Sequence, residues 1–239
     1  ITGAQMAIVH NGQVNAEYLT GIDRTRLRTG CDTEALLHFY RENGERGLMR
    51  RIPGAYTLAI ANIDVKDVIV MRDRTGIKPG VIGLKDRFYC ISSEDIALKK
   101  NGARIIEDLE PGHVYYLSPS GGVRNELVIG ATPAYCFFEY NYIANMESIL
   151  GEVSVRSVRK NLGRLLADEF CPNDADFVTF LPRCPEFAAR AYATKTGIPF
   201  QRVFYKKKDE RSFLGSTTEE RKKSILGNLY VVPRIDGMD

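Results

Sequence analysis

The sequence predicts an α+β fold, with a layered antiparallel domain followed by part of an α/β domain, and two patterns support this prediction. Between residues 4 and 118, short β-rich runs follow one another through Gly, Asp and Asn turns, with few helical windows between them. Beyond Pro133, amphipathic helices alternate with single β-rich runs. Strands joined by short turns pair antiparallel, whereas strands separated by a helix pair in parallel. We therefore expect a boundary near residue 135 and domains at 1–135 and 136–239.

Six strands and two helices are predicted in the first domain. The first helix begins at Asp32, because Asp32-Thr33-Glu34 supplies a capping side chain and early negative charge ahead of apolar positions. A second helix follows Ser93-Glu94. The predicted strands are runs rich in β-branched, aromatic and other apolar residues at Gln5–Val9, Ala55–Ile63, Val68–Arg72, Gly80–Leu84, Phe88–Ser92 and His113–Leu117.

The second domain is predicted to follow a helix–strand–helix–strand order. Apolar residues recur with helical spacing from Ser154 to Glu169, and a second helix is expected at Glu186–Thr196. Strands are expected at Asp176–Leu181 and Phe200–Phe204. The helix between them would join these strands as parallel neighbours through a right-handed crossover.

Composition places the chain among globular proteins. Its 239 residues are 44% hydrophobic and 26% charged, and no window approaches the run of about 18 apolar residues that a transmembrane helix requires. The net charge of +3 demands no nucleic-acid or membrane partner. The five cysteines are odd in number and form no Cys-x-x-Cys pair, which favours a reducing cytoplasm. The chain starts with Ile1 and lacks a signal-peptide pattern, so we expect it to begin inside a longer protein.

The tripeptide His10-Asn11-Gly12 has two interpretations. It follows an apolar run and contains an Asn-Gly pair, which is typical of a hairpin turn. Alternatively, the Asn11 side-chain amide and the Gly12 backbone N–H are neutral donors that can stabilise an oxyanion, and glycine allows the backbone to approach it closely. The local sequence is compatible with both a turn and an oxyanion hole.

Further motifs follow this tripeptide in a fixed order. They are Asp32-Thr33-Glu34, Gly54-Ala55-Tyr56-Thr57-Leu58, Arg72-Asp73-Arg74-Thr75-Gly76-Ile77-Lys78-Pro79, Ser92-Ser93-Glu94 with Ala97-Leu98, and Glu110-Pro111-Gly112. This order resembles the class II glutamine amidotransferase domain, which implies a layered α-β-β-α fold of the N-terminal-nucleophile hydrolase type. Beyond these motifs, Cys136–Tyr140 and Ser154–Gly163 resemble the linker segment of amidophosphoribosyltransferases. The resemblance runs from about residue 5 to about residue 226.

The resemblance implies catalytic and substrate-binding roles for three residues near the start of the chain. Asn11 and Gly12 correspond to the oxyanion-hole pair of the family. Asp32 corresponds to the acidic residue that binds the α-amino group of glutamine. Simple helix capping is the structural alternative for Asp32, and both roles can coexist because the carboxylate lies at a helix start.

The resemblance also implies glutamine-binding roles for Arg72, Asp73 and Gly76, which correspond to the turn that shapes the glutamine pocket. The structural alternative is a charged β-turn. Within this turn, Arg74 and Lys78 are expected to face solvent.

The chain departs from the family pattern at the nucleophile. In the family this residue is an N-terminal Cys whose own α-amino group acts as the base. This chain starts with Ile1, so that Cys and the Arg that binds the glutamine carboxylate are expected upstream of it. Cys31 stands where the family usually has Ser, and an interior Cys cannot replace a nucleophile that depends on its own amine. We therefore expect no glutaminase activity from these 239 residues alone.

For the second domain, the resemblance implies part of a type I phosphoribosyltransferase. The loop that would bind phosphoribosyl pyrophosphate with Mg²⁺ is expected beyond Gly237-Met238-Asp239. Two family segments are altered, because an acidic turn is replaced by Pro182-Arg183-Cys184-Pro185 and a Lys-Asn-Arg-Tyr segment by Tyr205-Lys206-Lys207-Lys208. We expect Lys206–Lys208 to be a poorly ordered, solvated loop that leads to a helix capped at Thr217.

Some family members bind an iron–sulfur cluster, and Cys136 corresponds to one of its ligands. A cluster needs four ligands, and the other three would lie beyond this chain. A small buried residue at the start of a strand is therefore the preferred interpretation of Cys136. No other cofactor is expected from the residues of this chain.

The leading functional interpretation is an amidophosphoribosyltransferase-like glycosyltransferase of purine biosynthesis. Ammonia from glutamine would be transferred to phosphoribosyl pyrophosphate to give phosphoribosylamine, and the protein would form a homo-oligomer. The alternatives are another class II glutamine amidotransferase, or a catalytically degenerate paralogue with a binding or regulatory role. The leading interpretation requires Asn11, Gly12 and Asp32 to converge on one cleft within about 15 Å, the reach of a ligand of glutamine's size.

Overall fold

The chain divides into two compact units, formed by residues 1–139 with 148–152 and by residues 140–147 with 153–239. The computed structural model describes residues 5–19, 22–64, 66–207 and 216–231. The first unit extends past the predicted boundary at 135 and includes a short segment beyond it. Among the helices in these ranges, none is both long and apolar enough to cross a membrane.

Two antiparallel sheets form the centre of the first unit. Its strands are β1 (Met6–Val14), β2 (Gly54–Asn62), β3 (Val68–Arg72), β4 (Val81–Lys85), β5 (Phe88–Ser92), β6 (Arg104–Asp108), β7 (His113–Ser118), β8 (Gly122–Leu127) and the two-residue β9 (Ile149–Leu150). One sheet has the order β1-β2-β3-β7-β8 and the other has the order β5-β4-β6. Every pair of neighbours in these two sheets is antiparallel.

A helix covers the outer face of each sheet. Helix α1 (Asp32–Arg51) packs on the five-stranded sheet through a core that includes the fully buried Leu36 and Leu48. The two sheets pack against each other through a second apolar cluster, and α2 (Asp95–Lys100) packs on the three-stranded sheet through a third. The layer order is α-β-β-α, which confirms the predicted fold class of this unit. Two short 3₁₀ turns, Ala16–Tyr18 and Arg24–Arg26, precede α1.

Most predicted elements of the first unit are present, with one informative exception. Strand β1 does not end before His10 but continues through His10-Asn11-Gly12 to Val14, paired with β2 along its whole length. The hairpin-turn interpretation of the Asn-Gly pair is therefore wrong. Strands β6 and β8 were not predicted, because both are rich in charged or exposed residues and lie at sheet edges.

Helices dominate the second unit. Its elements are β10 (Val153–Ser154), α3 (Val155–Glu169), α4 (Glu186–Thr196), β11 (Phe204–Lys206), α5 (Thr218–Asn228) and β12 (Leu229–Val231), and a π-helical turn (Glu139–Ile143) precedes them. Helix α4 has the predicted limits, and α3 begins after its cap Ser154. The predicted cap of α5 is also confirmed, because Thr217 and Glu220 form a capping box.

The predicted strands at Asp176–Leu181 and Phe200–Phe204 are shorter than expected. They meet in a single parallel bridge between Val178 and Phe200, with α4 between them in sequence. The predicted parallel direction is confirmed. The predicted length of the two strands is wrong, because they form one bridge and not an extended ladder. The next backbone N–H along, that of Val203, bonds to the Thr179 hydroxyl at 3.4 Å instead of a backbone carbonyl. A side chain thus takes the place of the next ladder bond.

The first residue of the loop predicted at Lys206–Lys208 belongs to a strand. Lys206 belongs to β11, which pairs antiparallel with β12. The backbone N–H of Lys207 donates to the carbonyl of Asn228 at 2.9 Å. A loop is therefore the wrong expectation for Lys206, and Lys208 lies outside the described residues.

Candidate functional site

Strand β1 places Asn11 and Gly12 inside the five-stranded sheet. Asn11 pairs with Thr57, and Gly12 pairs with Tyr56 on β2. Side chains alternate between the two faces of a strand, so His10 faces α1 and Asn11 faces the opposite side, toward the second sheet. The two donors proposed for an oxyanion hole are therefore held by a regular β ladder and not by a mobile turn.

Gly12 is required at its position by the close approach of β2. A Cβ atom added to Gly12 would lie 2.1 Å from the carbonyl oxygen of Ala55 and 2.6 Å from the Cα atom of Tyr56. The residue also has φ +148, a conformation that other residues rarely adopt. Both the space and the backbone conformation exclude a side chain here.

Asp32 lies next to this strand, at the first residue of α1. Its Oδ2 atom accepts the backbone N–H of Val14 at 3.2 Å, and its Oδ1 atom lies 3.8 Å from Nδ1 of His10. The side chain keeps 28% exposure, so the carboxylate retains acceptor capacity that faces solvent. His10 adjoins Asn11, and adjacent Cα atoms are about 3.8 Å apart, so the predicted proximity of Asp32 to Asn11 and Gly12 is confirmed.

The expectation of one shared cleft is only partly correct. Asp32 lines a cavity of about 330 Å³ between the start of α1 and the preceding loop, with Leu27, Gly30 and Cys31 among its other walls. Asn11 lines a separate cavity of about 500 Å³ along the sheet face. Asp32 and Asn11 are close because Asp32, at the start of α1, contacts β1, the strand that carries Asn11. Asp32 lies on the face of β1 that His10 occupies, whereas the Asn11 side chain lies on the opposite face.

Glu34 shapes the wall of the cavity at Asp32. Its carboxylate accepts the backbone N–H of Arg28 at 2.9 Å, and the backbone N–H and hydroxyl of Thr29 both at 2.7 Å. The bond from Arg28 contributes most to lowering the pKa of Glu34. The third residue of the Asp32-Thr33-Glu34 motif therefore holds the loop that borders the candidate glutamine cavity.

His10 connects the strand to the helix start. Its Nδ1 atom lies 3.1 Å from the Thr33 hydroxyl, its side chain is 3% exposed, and its Nε2 atom has no hydrogen-bond partner among the described residues. Burial lowers the pKa of His10 below the ordinary 6.5, although the nearby Asp32 carboxylate acts in the opposite direction. The neutral imidazole is therefore the favoured form in the folded protein.

Acidification should destabilise the first unit through His10. The pKa of His10 is lower in the folded protein than in the unfolded chain. His10 therefore contributes stability that is complete above pH 6.5 and is lost as the pH falls through the folded-state pKa. Between pH 7.5 and 5.5, protonation of His10 lowers the free energy of unfolding by at most about 1.4 kcal/mol. We expect His10→Asn to show a smaller loss of unfolding free energy over that range, measured by urea denaturation. Equal losses in the two proteins would contradict this role.

Arg72 uses its polar groups within the protein. The guanidinium donates from Nε to the carbonyl of Lys78 at 2.9 Å and from Nη2 to that of Gly76 at 2.5 Å, and Nη1 donates to Leu109. Burial lowers the pKa of Arg72, and the neighbouring Asp73, Asp108 and Glu110 carboxylates oppose this shift. Arg72 therefore fixes the loop that follows β3, which agrees with the shaping role that the family resemblance implies.

Asp73 and Gly76 complete that loop. The buried Asp73 carboxylate accepts the backbone N–H groups of Tyr56 at 3.0 Å and of Thr75 at 2.7 Å, and also the Thr75 hydroxyl. Gly76 has φ +60, and a Cβ atom there would lie 2.5 Å from Cγ of Pro111. The polar groups of Arg72 and Asp73 thus support the Gly12–Tyr56 pairing and the loop, and direct contact of these residues with glutamine stays a prediction.

Lys78 does not face solvent as predicted. Its Nζ atom lies 2.5 Å from Oε1 of Glu139, and the Glu139 side chain is 5% exposed. The carbonyl of Lys78 accepts the Thr57 hydroxyl at 3.0 Å. Arg74 is exposed as predicted, with its Nε atom 3.1 Å from the Thr132 hydroxyl. Sequence spacing cannot reveal an ion pair between residues 61 positions apart.

The cysteines have no metal-binding arrangement among the described residues. All five are free, and in the ranges that the structure describes no three His, Cys, Asp or Glu side chains come together to hold a metal ion. Cys136 is partly buried and precedes a π-helical turn, so the predicted strand start at this position is wrong. Cys31 is exposed, and its Sγ atom lies 3.7 Å from Oδ1 of Asp32.

Comparisons with known proteins agree with this architecture. Residues 2–119 match the model of the glutamine amidotransferase domain. The amidophosphoribosyltransferase of Bacillus subtilis (strain 168) is 31% identical over 207 residues, which is 82% of this chain and 43% of that protein. The corresponding protein of Mycobacterium tuberculosis (strain ATCC 25618 / H37Rv) is 33% identical over 215 residues, which is 83% of this chain and 40% of that protein.

Solved structures give the same result. The glutamine phosphoribosylpyrophosphate amidotransferase from B. subtilis, solved with ADP and GMP, matches with a TM-score of 0.81 and 28% identity over 97% of this chain and 53% of that chain. A structure described as the allosteric regulatory enzyme of purine biosynthesis matches with a TM-score of 0.80 and 28% identity. The chain thus spans about half the length of these relatives.

The first unit has α-β-β-α layers, and its strand β1 carries Asn11 and Gly12 and bonds to Asp32 through Val14. Together with the comparisons, these features define a glutamine amidotransferase domain of the N-terminal-nucleophile hydrolase type. Beyond that domain, the chain is similar over most of its length to amidophosphoribosyltransferases. The chain belongs to the amidophosphoribosyltransferase family.

Proposed function

We propose that the first unit binds L-glutamine at Asp32 and serves the amidotransferase reaction of this family. In that reaction, ammonia released from glutamine is transferred to phosphoribosyl pyrophosphate and gives phosphoribosylamine for purine biosynthesis. The proposal for glutamine rests on the Asp32 carboxylate, which borders a cavity of about 330 Å³ and lies beside Gly12's strand. A carboxylate that keeps free acceptor sites is the group that an α-ammonium requires.

The second unit would supply the phosphoribosyl pyrophosphate side of the reaction. Support comes from the parallel bridge on either side of the α4 crossover and from the names of the relatives. Mg²⁺ is part of this proposal, because the metal would neutralise the phosphates of the substrate. The homo-oligomer and the cytoplasmic location expected from the sequence stay predictions.

Glutamine binding should depend on the charge of Asp32. We expect Asp32→Asn to weaken L-glutamine binding by about 10- to 100-fold, since losing a charge-assisted hydrogen bond costs roughly 1.5–3 kcal/mol. The Asn side chain keeps an oxygen that can accept the Val14 N–H, so the local fold should persist. Isothermal titration calorimetry measures the effect, with Asp64→Asn as the matched control because Asp64 lies in an exposed turn.

Blocking the ligand tests the same contact from the other side. N-acetyl-L-glutamine lacks the α-ammonium group and should bind neither the unmodified protein nor the Asp32→Asn variant. Equal affinity for L-glutamine and its N-acetyl derivative would exclude Asp32 as the amine-binding residue. Equal weakening in Asp32→Asn and Asp64→Asn would exclude it as well.

Hydrolysis of glutamine needs a nucleophile in addition to this pocket. We expect a polypeptide of these 239 residues alone to release no glutamate, because Ile1 has no nucleophilic side chain and oxyanion donors alone give only a small part of the catalysis. Cys31→Ala should therefore change neither the glutaminase rate nor the fold. Robust turnover that disappears in Cys31→Ala would make Cys31 a nucleophile and overturn this assignment.

A catalytically degenerate paralogue is the second candidate. It is favoured by the replacement of the family's acidic turn with Pro182-Arg183-Cys184-Pro185, where the Cys184 thiol lies 3.5 Å from the carbonyl of Tyr142. A protein of this kind would bind glutamine but not phosphoribosyl pyrophosphate. Calorimetric titration of the complete gene product with phosphoribosyl pyrophosphate and Mg²⁺ separates it from the enzyme.

A further inference from the structure

A cleft lies between α3 and α4 in the second unit. The two helices approach closely at Gly163, where an added Cβ atom would lie 2.0 Å from the carbonyl oxygen of Ala188. Beside this contact lies a cavity of about 510 Å³, lined by residues of α3 and α4 alone. Its volume is within the range of small-molecule sites.

Four cationic side chains line this cleft. Lys160 and Arg164 are one turn apart on α3, and Arg190 and Lys195 lie on α4. No Asp or Glu side chain is among the lining residues. Like charges four residues apart on a helix repel each other, so the pair Lys160 and Arg164 destabilises α3.

Among the described residues, two of the four cations pair with a carboxylate and two do not. Arg190 donates from Nε and Nη2 to Oε1 of Glu186 at 3.0 and 2.9 Å, and Lys195 forms an ion pair with Asp168. Arg164 bonds only to the neutral amide oxygen of Asn161 at 2.8 Å, and Lys160 has no carboxylate partner among the described residues. The cleft therefore holds two positive charges that no acidic side chain of the described residues balances.

We propose that this cleft binds a small phosphorylated molecule that carries at least two negative charges. Concave surfaces lined by one sign of charge concentrate the opposite ion, and Arg and Lys side chains bind phosphate oxygens through charge-assisted hydrogen bonds. Phe187 and Ala191 give an apolar surface for the organic part of the ligand. The site lies between two helices of the second unit.

A solvated basic surface is the alternative explanation, and the geometry argues against it. On a convex surface, unpaired cationic side chains extend into solvent. Lys160 and Arg164 instead line a cavity with an apolar wall. Arg190 also lies 4.3 Å from the centre of the Phe200 ring, so its position is fixed by stacking as well as by Glu186. Arg190 and Lys195, which pair with carboxylates, thus border Lys160 and Arg164, which have no carboxylate partner in the part of the chain that the structure describes.

Titration with inorganic diphosphate tests the proposal. The full chain is titrated by calorimetry at constant ionic strength, without added metal, and compared with a Lys160→Gln, Arg164→Gln double variant. We expect the double variant to bind diphosphate at least tenfold more weakly. The control is Lys222→Gln with Lys223→Gln, which removes the same charge from exposed positions on α5 and should change the affinity less than twofold.

A charge-preserving variant keeps the test independent of folding. Lys160→Arg with Arg164→Lys should retain diphosphate binding within threefold, and circular dichroism should show native helix content in all variants. The proposal is overturned if diphosphate does not bind, or if both charge-removing variants lose affinity equally. It is also overturned if a single-stranded RNA oligomer binds at the same residues more tightly than diphosphate.

Discussion

Gly12→Ala is expected to be the most destabilising single-methyl addition in the first unit, with a loss of roughly 3–5 kcal/mol. A methyl group at this position would lie 2.1 Å from the carbonyl oxygen of Ala55, and this atom belongs to the backbone of the paired strand. Relief would require β1 and β2 to separate, which breaks ladder bonds on both sides of Gly12. The φ of +148 adds conformational strain to the steric clash.

Two further glycines separate these contributions. Gly130→Ala meets no heavy atom within 4 Å and has no positive φ, so we expect a change within about 0.5 kcal/mol. Gly102→Ala also meets no atom within 4 Å but has φ +76, so it should lose only the backbone contribution of about 1–2 kcal/mol. The difference between Gly12→Ala and Gly102→Ala is then the cost of the clash.

Urea denaturation followed by circular dichroism gives the free energies, and amide exchange gives the location. In Gly12→Ala, exchange should accelerate first in β1 and β2. A Gly12→Ala protein as stable as Gly102→Ala would show that β1 can shift away from Ala55, and the close approach would lose its significance.

The sequence predicts the layers of the first unit because its strands show local signals. Val68–Arg72 and Phe88–Ser92 have the predicted limits, and α1 begins at the predicted Asp32. These elements are specified by apolar periodicity and by charge at a helix start, which lie within a short window. Strand β8 lacks that signal, since Gly122–Leu127 alternates weakly and is mostly polar.

Contacts distant in sequence set the limit of prediction at the candidate site. Asn11-Gly12 resembles a turn locally, but its partner Tyr56 lies on the other side of α1 in sequence, and only this pairing shows that the tripeptide is a strand. In the same way, the bond from Val14 N–H to Asp32 explains why the helix start lies beside β1. Motif order predicted that Asp32 and Gly12 belong together, whereas the two faces of the strand, and thus the two cavities, became visible only in the structure.

Arg72→Met is expected to lose about 3–5 kcal/mol, because removing one member of a buried charged cluster leaves its partners unsatisfied. The methionine side chain keeps most of the apolar stem but removes the donors to Lys78, Gly76 and Leu109. It also removes the positive charge beside Asp73, Asp108 and Glu110. Arg72→Lys keeps the charge without the planar fork and should fall between Arg72→Met and the unmodified protein.

Arg74→Met is the matched control for this series. Arg74 is exposed and makes one side-chain bond, to the Thr132 hydroxyl, so its loss should cost less than about 1 kcal/mol. If Arg72→Met and Arg74→Met are equally stable in urea, Arg72 does not hold the loop after β3. The loop carbonyl of Lys78 accepts the hydroxyl of Thr57, which pairs with Asn11 on β1. Arg72→Lys should therefore also disturb the amide exchange of β1 around Asn11, whereas Arg74→Met should leave it unchanged.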